Sequence, residues 1–517
     1  MSLKSFYVSR MHGYLLSGLA DMALPVLRAR LQKANSRRAN RVVQERLFGD
    51  AANDPLRTRT WWEKPGLGLM FQIEARPGWQ WQRNFDRFNA ELTGPDGKLV
   101  FDGPTPRMQE WVSFSQRVGC DYHIFEAKWH DGICYWDTKY TAWKTPADYC
   151  RAFVQESRRA GIPYGFYYSA VFDHNPDFDD IQPLRRSTPS YLAMHGGKRK
   201  GLRKSLAFTN FARLLFIVFR RDLAKAGLRK EDPYPWFDDF ELNDFEPDPD
   251  RYISYIQDQL EELCGKYGAR LMWIDWYDGA GGAASNEIMD FMRERYPEVA
   301  LTFNSSILED LCWSHYVCFE THSVKQTWAQ VKQYRNWKRP WELITPAAAN
   351  WDAPQPKRNQ VENALTAAII MASGGKVNFG IASEMDGSLH PEVSKQMEAL
   401  GEWYQPRRGL FIDATACQPE QPDVPRVKLD NKRLRVLASR HQGDHVLHVF
   451  DLWADGSEPE DSVTLHLSTD EWGNIVRVVL EPSGEELPLE VEPGGRRLLI
   501  PQRSLDRIDT ILRLCTT

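Results

Sequence analysis

Asp275 ends the apolar run RLMWIDW, with Trp273, Trp276 and Tyr277 around it. A carboxylate held by a rigid strand end in a partly dry aromatic setting is suited to attack an electrophilic carbon. Retaining glycoside cleavage pairs such a nucleophile with a second carboxyl group about 5–5.5 Å away, which protonates the leaving oxygen and later activates water. Glu320, at the end of YVCFETH, is the natural partner for Asp275, and Glu342, in WELIT, competes with it. Whichever acts must hold a proton near neutral pH, and desolvation supplies that upward shift.

Other apolar runs end in polar groups as well: Gln72 and Glu74, then Lys128, Trp129, His130 and Asp131, then Ser169, Asp173 and His174, then Asp278, Asn304, His322 and Asn378. Carboxylates, imidazoles and amides gathered on one face suit a sugar, with Gln72, Glu74, Trp129, His130, Tyr168, Trp273, Asp278 and Glu342 as its contacts. In FEAKWHDGICYWDTKYTAW (125–143), His130 positions a sugar hydroxyl or is a satisfied core histidine, and Asp131 fixes the loop or the imidazole tautomer. Tyr135, Trp136, Tyr140 and Trp143 either line the cleft or pack between loop and helix. A rival of different chemistry is a metal-dependent hydrolase using His130, Asp131, Asp173 and His174, but no HExxH-type spacing supports it. A second rival is a sugar-binding relic that keeps the scaffold without turnover. No metal or cofactor is expected. No GxGxxG follows a strand, and GAGGAAS (279–285) reads as a flexible loop over the site.

These groups need a scaffold that brings many strand ends to one face. Eight runs supply it: 67–74, 122–128, 164–170, 270–276, 300–305, 316–322, 341–345 and 376–382. Several are nearly continuous in apolar residues, the pattern of parallel strands covered on both sides. Amphipathic segments lie between many of them, at 106–119, 146–160, 250–266, 286–295 and 358–373. The fold class is therefore α/β, a (β/α)8-like barrel over 58–410, whose chemistry sits at the C-terminal strand ends. Residues 177–249 form an insertion after strand three, carrying the basic run KRKGLRK and an acidic aromatic stretch. Past 411 the helical signals stop, and β-branched runs between turn signals predict an antiparallel β-sandwich to residue 517.

Composition agrees with a large globular enzyme. Of 517 residues 42% are hydrophobic and 26% charged. The net charge of −5 excludes a general nucleic-acid footprint. Nineteen tryptophans offer apolar faces for core and for sugar C–H surfaces. The eight cysteines include no CxxC pair and read as buried free thiols, which favours a reducing, cytoplasmic setting over a periplasmic one. No run of about 18 apolar residues is present, so no stable membrane insertion is expected. Residues 1–57 read as a helical extension, basic and amphipathic up to about Phe48. The expected partner is an oligosaccharide or glycoside. Oligomeric state is not written in the sequence.

From about Gly66 to Phe411 the sequence resembles glycoside hydrolase family 29, the retaining α-L-fucosidases. The resemblance rests on six segments in order: EAKWHDGICYWDTKYTAW, IPYGFYYSAVFDHNP, the helix and strand ending in RLMWIDWYDG, RERYPEVALTFNS, FETHS with RPWELIT, and GGKVNFGIASEMDGSLHPE. It implies a barrel with a β-sandwich, and hydrolysis of a terminal α-linked L-fucose or related deoxy sugar by double displacement. It also implies that Asp275 is the nucleophile, while the acid/base, Glu320 or Glu342, is the family's least fixed position. Two departures stand out. The family's sugar-contacting histidine on strand one is Gln72 here, and the first of its paired histidines is Trp129. A site built for hydrogen bonds discriminates strongly when a partner is lost. The flat face of Trp129 in place of an imidazole suits a sugar lacking a hydroxyl, or a different epimer.

Overall fold

The computed structural model describes residues 60–73, 92–170, 173, 175–178, 249–275, 282–304, 314–334, 340–351, 354–356, 358–417, 427–429, 434–452, 462–468, 472 and 475–516. The expected N-terminal extension and nearly all of the 177–249 insertion lie outside the described residues, as do Glu74, His174, Trp276, Tyr277 and Asp278.

Eight parallel strands close into a barrel in chain order. They are β1 (Gly66–Gln72), β2 (Tyr122–Lys128), β3 (Tyr164–Ser169), β4 (Leu271–Asp275), β5 (Ala300–Asn304), β6 (Tyr316–Glu320), β7 (Trp341–Pro346) and β8 (Lys376–Ala382). β1, β2, β3 and β8 are buried along their whole length, so both faces are covered and the apolar runs need no alternation. Around them lie α1 (Met108–Val118), α2 (Tyr149–Ala160), α3 (Pro249–Glu261), α4 (Gly282–Arg295), α5 (Val324–Tyr334), α6 (Gln360–Ala372) and α7 (Pro391–Tyr404). Their ends follow local chemistry. The Asp148 side chain accepts from Arg151 N to start α2, and Asn359 with Glu362 makes a capping box at α6. α5 was not expected from the sequence, and residues 282–285, read there as loop, begin α4.

Side chains alternate between two environments. Leu67, Leu69 and Phe71 of β1 face the helices, whereas Met70 shares the barrel interior with Tyr122, Ile124, Tyr167 and Trp273. The ladder tilts as it runs. Asp275, beside Asn304, leads through Cys318, Glu342 and Lys376 to Gly66, the first residue of β1. Residues at one height thus come from alternate strands, climbing about one residue per strand.

Among the described residues ten short strands follow. The four-stranded sheet is ordered β10 (Val427–Leu429), β13 (Ser462–Ser468), β17 (Gly495–Pro501), β16 (Leu489–Glu492). The six-stranded sheet is ordered β15 (Glu485–Leu487), β14 (Ile475–Glu481), β18 (Thr510–Thr516), β12 (Asp444–Asp451), β11 (Leu434–His441), β9 (Thr415–Ala416). Leu465, Leu498, Val478 and Leu514 belong to the core between the two sheets. The six-stranded sheet also joins the barrel's helix-layer core through Leu437, Val446, Phe450 and Ile511. A buried His448 stacks on Phe411 at 5.3 Å and bonds Asp509 at 2.7 Å.

Candidate active site

The upper layer of the barrel contains the charged residues. By register, Glu126 on β2, Asp275 on β4, Glu320 on β6 and Gly380 on β8 stand at one height, one from each alternate strand. Tyr167, on β3 between the first two, donates its hydroxyl to Asp275 Oδ2 at 2.7 Å. Burial, and after it the carboxylates of Asp275, Glu126 and Glu320, hold that phenol well above the ordinary tyrosine range, so it remains a donor. Behind it the Trp273 ring stacks at 5.2 Å.

Two of the carboxylates sit in different settings. The Asp275 side chain is 12% exposed, with His130 Nε2 3.7 Å from Oδ2. Glu320 is 39% exposed, accepts from Asn304 Nδ2 at 2.7 Å, and has His322 Nε2 at 3.4 Å. One carboxylate is therefore dry and fixed, and the other faces solvent at the cleft mouth. Trp351, which the sequence reading did not single out, lies over Gly380 and beside His322. A Cβ on Gly380 would come within 2.8 Å of both its ring and Gln72 Oε1.

His130 is buried, which pushes its imidazole down to about 3 and leaves it neutral. Its Nδ1 meets the Ser169 hydroxyl at 2.7 Å, so Ser169, not Asp131, orients the ring. Asp131 instead accepts the Ile133 amide at 2.9 Å and holds the loop. Burial raises its carboxyl to about 7.

Several expectations are corrected. Tyr168 points away from the charged layer at the strand ends: its hydroxyl lies between Lys128 Nζ and Gln259 Oε1 in the helix layer. The neighbouring Tyr167 occupies the site. Glu342 stands near the N-terminal end of β7, fully buried, where Tyr122 and Trp273 Nε1 donate to its two oxygens. Gly68 has no side chain to obstruct the Tyr122 ring that reaches it. Glu342 is thus a floor residue and no rival to Glu320. Trp273 lies one layer down, where its ring stacks on Tyr167 and its Nε1 turns to Glu342. Tyr135, Trp136 and Trp143 are packed in the outer core, with Trp136 Nε1 on Glu262 and Trp143 Nε1 on the Asp131 carbonyl. The face of Trp129 is not offered to a ligand. It stacks on His130 at 4.1 Å and tilts over Tyr167 at 5.4 Å. Gln72 stands at the β1 end, and its Oε1 has no partner among the described residues. Glu74 and Asp278 lie outside them.

The proposed metal cluster is otherwise engaged. Asp173 binds Lys128 and accepts from Tyr252 at 3.1 Å and from the Asn175 amide at 3.0 Å. Among the described residues no group of three His, Cys, Asp or Glu side chains is placed to hold an ion. None of the described cysteines forms a disulfide.

The profile of the α-L-fucosidase family matches residues 76–407, more than half of the chain. The chain belongs to the α-L-fucosidase family. As a member it is a glycoside hydrolase, and its substrate is a glycoside. The curated proteins contain no match. Among solved structures, an α-fucosidase from Thermotoga maritima superposes with a TM-score of 0.58 at 15% identity, covering 88% of this chain and 96% of that one. The α-L-fucosidase isoenzyme 1 of Paenibacillus thiaminolyticus gives 0.59 at 16%, covering 92% and 100%. An α-L-fucosidase from Bacteroides thetaiotaomicron gives 0.57 at 16%, covering 90% and 96%. At these identities the likeness is one of fold: a barrel followed by a sandwich. No described helix of this fucosidase-family chain is long and apolar enough to cross a membrane.

Proposed function

We propose that this chain is a retaining exo-glycosidase that releases a terminal α-linked L-fucose or a closely related deoxy sugar, with Asp275 as nucleophile and Glu320 as acid/base. The observation that carries the reading is the shared layer, in which a dry, Tyr167-bonded Asp275 and a half-exposed Glu320 stand two strands apart. In the first step an Asp275 oxygen bonds to the anomeric carbon while Glu320 gives its proton to the departing glycosidic oxygen. In the second step Glu320 takes a proton from water, whose oxygen displaces Asp275 and restores the starting anomer. Tyr167 fixes which Asp275 oxygen is presented. Neutral His130, locked by Ser169, is placed to bond a ring hydroxyl near Asp275. A Bacteroides thetaiotaomicron relative of the same fold has been trapped as a covalent intermediate with 2-fluoro-fucosyl fluoride, which supports double displacement here.

The test is hydrolysis of nitrophenyl α-L-fucoside beside other deoxy-sugar aryl glycosides, for wild type and Asp275→Ala, with azide added to the variant. Turnover lost in the variant and rescued as a glycosyl azide of inverted anomer supports the reading. Undiminished turnover by Asp275→Ala, or an inverted sugar from wild type, overturns it.

A further inference from the structure

An acid at Glu320 brings the departing oxygen within hydrogen-bond reach of that carboxylate. Its two oxygens are not equivalent. Oε1 accepts from Asn304 Nδ2 at 2.7 Å, whereas Oε2 stands 3.4 Å from His322 Nε2. Asn304 thus occupies one oxygen, and the other is the one that meets the leaving group. Whatever binds Oε2 lies beside His322.

His322 sits on a turn whose backbone is pinned on several sides. The Thr321 amide donates to the Ile344 carbonyl at 2.9 Å, and the His322 amide donates to Gln326 Oε1 at 3.1 Å. Ser323 Oγ then accepts the Gln326 amide at 3.2 Å at the start of α5. The backbone is fixed, yet the imidazole is 52% exposed. Trp351 stands edge-on to the ring at 6.4 Å. A side chain placed so firmly and left so wet adds little to the core, which is the usual condition of a group that meets a ligand. An imidazole both donates and accepts, so a hydroxyl suits it. Neighbouring ring oxygens of a sugar lie about one hydrogen-bond length apart, a spacing that Glu320 Oε2 and His322 Nε2 can grip together.

We propose that His322 reads the leaving group: while Glu320 protonates the glycosidic oxygen, His322 binds a free hydroxyl on the adjacent carbon of the aglycone. This deepens, and rests on, the glycosidase reading above. The aglycone class it selects is a sugar linked through a secondary ring hydroxyl. A sugar linked through its primary hydroxyl, or an aryl alcohol, has no hydroxyl at that place and forgoes the contact.

The experiment measures kcat/KM for nitrophenyl α-L-fucoside and for the 2-, 3- and 6-linked α-L-fucosyl derivatives of methyl galactoside. Wild type, His322→Ala and His322→Gln are compared, with thermal unfolding of each. The 6-linked compound keeps the galactose but has no hydroxyl on the carbon next to the linkage. His322→Ala is expected to lose roughly 3- to 10-fold more on the better of the 2- and 3-linked substrates than on the 6-linked one. His322→Gln, which keeps a donor and an acceptor, restores part of that difference. Equal losses on all three disaccharides with the nitrophenyl glycoside spared would show that His322 acts through the proton on Glu320, and would overturn the proposal. A uniform loss over all four substrates marks a structural role and overturns it too, as does a wild type that cleaves the 6-linked compound best. Should wild type cleave none of the four, the glycosidase reading itself fails and takes this proposal with it, whereas turnover without the selective loss sinks the proposal alone.

Discussion

Tyr167 Oη and Asp275 Oδ2 are 2.7 Å apart, and on the proposed mechanism that bond serves the nucleophile rather than the fold. Tyr167→Phe keeps the stack on Trp273 and removes one donor. A charge-assisted bond of about 1.5–3 kcal/mol sets the expected loss, roughly 10- to 100-fold in kcat/KM with the melting temperature nearly unchanged. Steady-state kinetics and a thermal scan check both halves. Asp131 gives a prediction of a different kind. Its carboxyl is raised by burial to about 7, so between about pH 4 and 7 the folded chain binds more protons than the unfolded one. Its contribution to stability therefore falls as pH rises through that window. His130, lowered to about 3, works oppositely and costs stability as pH falls from about 6.5 towards 3. Asp131→Asn can still accept from Ile133 and does not titrate. Its stability relative to wild type is expected to climb between pH 4 and 7, by on the order of 1–4 kcal/mol, and to level off above. Urea melts at pH 4, 5.5 and 7 measure this, and a flat difference contradicts it.

At the scale of elements, the eight strands were legible because parallel strands buried on both faces leave long apolar runs. β2 and β8 begin and end where those runs do. What the runs conceal is parity. When both faces are apolar, the sequence does not say which side chains point inward, so YYS presents Tyr167 and Tyr168 as equals. Height is concealed too. Glu342 sits on a strand like Glu320, but the tilt of the ladder sets it at the floor. The aromatic run after His130 was ambiguous for a related reason, since indoles that bury their rings and bond through Nε1 look the same in sequence as those that meet a ligand. Glu126 is hidden in another way, since it lies inside the buried run YHIFEAK rather than at its end. Glu342 carries its own expectation. Glu342→Gln turns an amide nitrogen towards one of two donors, Tyr122 or Trp273. A loss of about 1–3 kcal/mol in denaturant stability is expected, with kcat within about 3-fold. A large drop in kcat at unchanged stability would return Glu342 to the chemistry.

For the whole molecule, barrel and sandwich share one apolar core. Phe450 of β12 packs edge-on to Trp328 of α5 at 6.5 Å, and Arg407 and Trp403 Nε1 both reach Asp506 near β18. Phe450→Ala should cost about 3–5 kcal/mol and lower a single calorimetric transition rather than split it. Two separate endotherms would show that the halves melt alone. The shared core also limits recombination. The two sheets of the sandwich are unequal as exchangeable parts. Among the described residues the buried side chains of the four-stranded sheet belong to the inter-sheet core, so a shuffled copy needs to match that one surface. The six-stranded sheet must satisfy two at once, its sister and the barrel helices, along with the His448–Asp509 pair over Phe411. Lineages that exchanged this module would therefore have kept the inner sheet and varied the outer one.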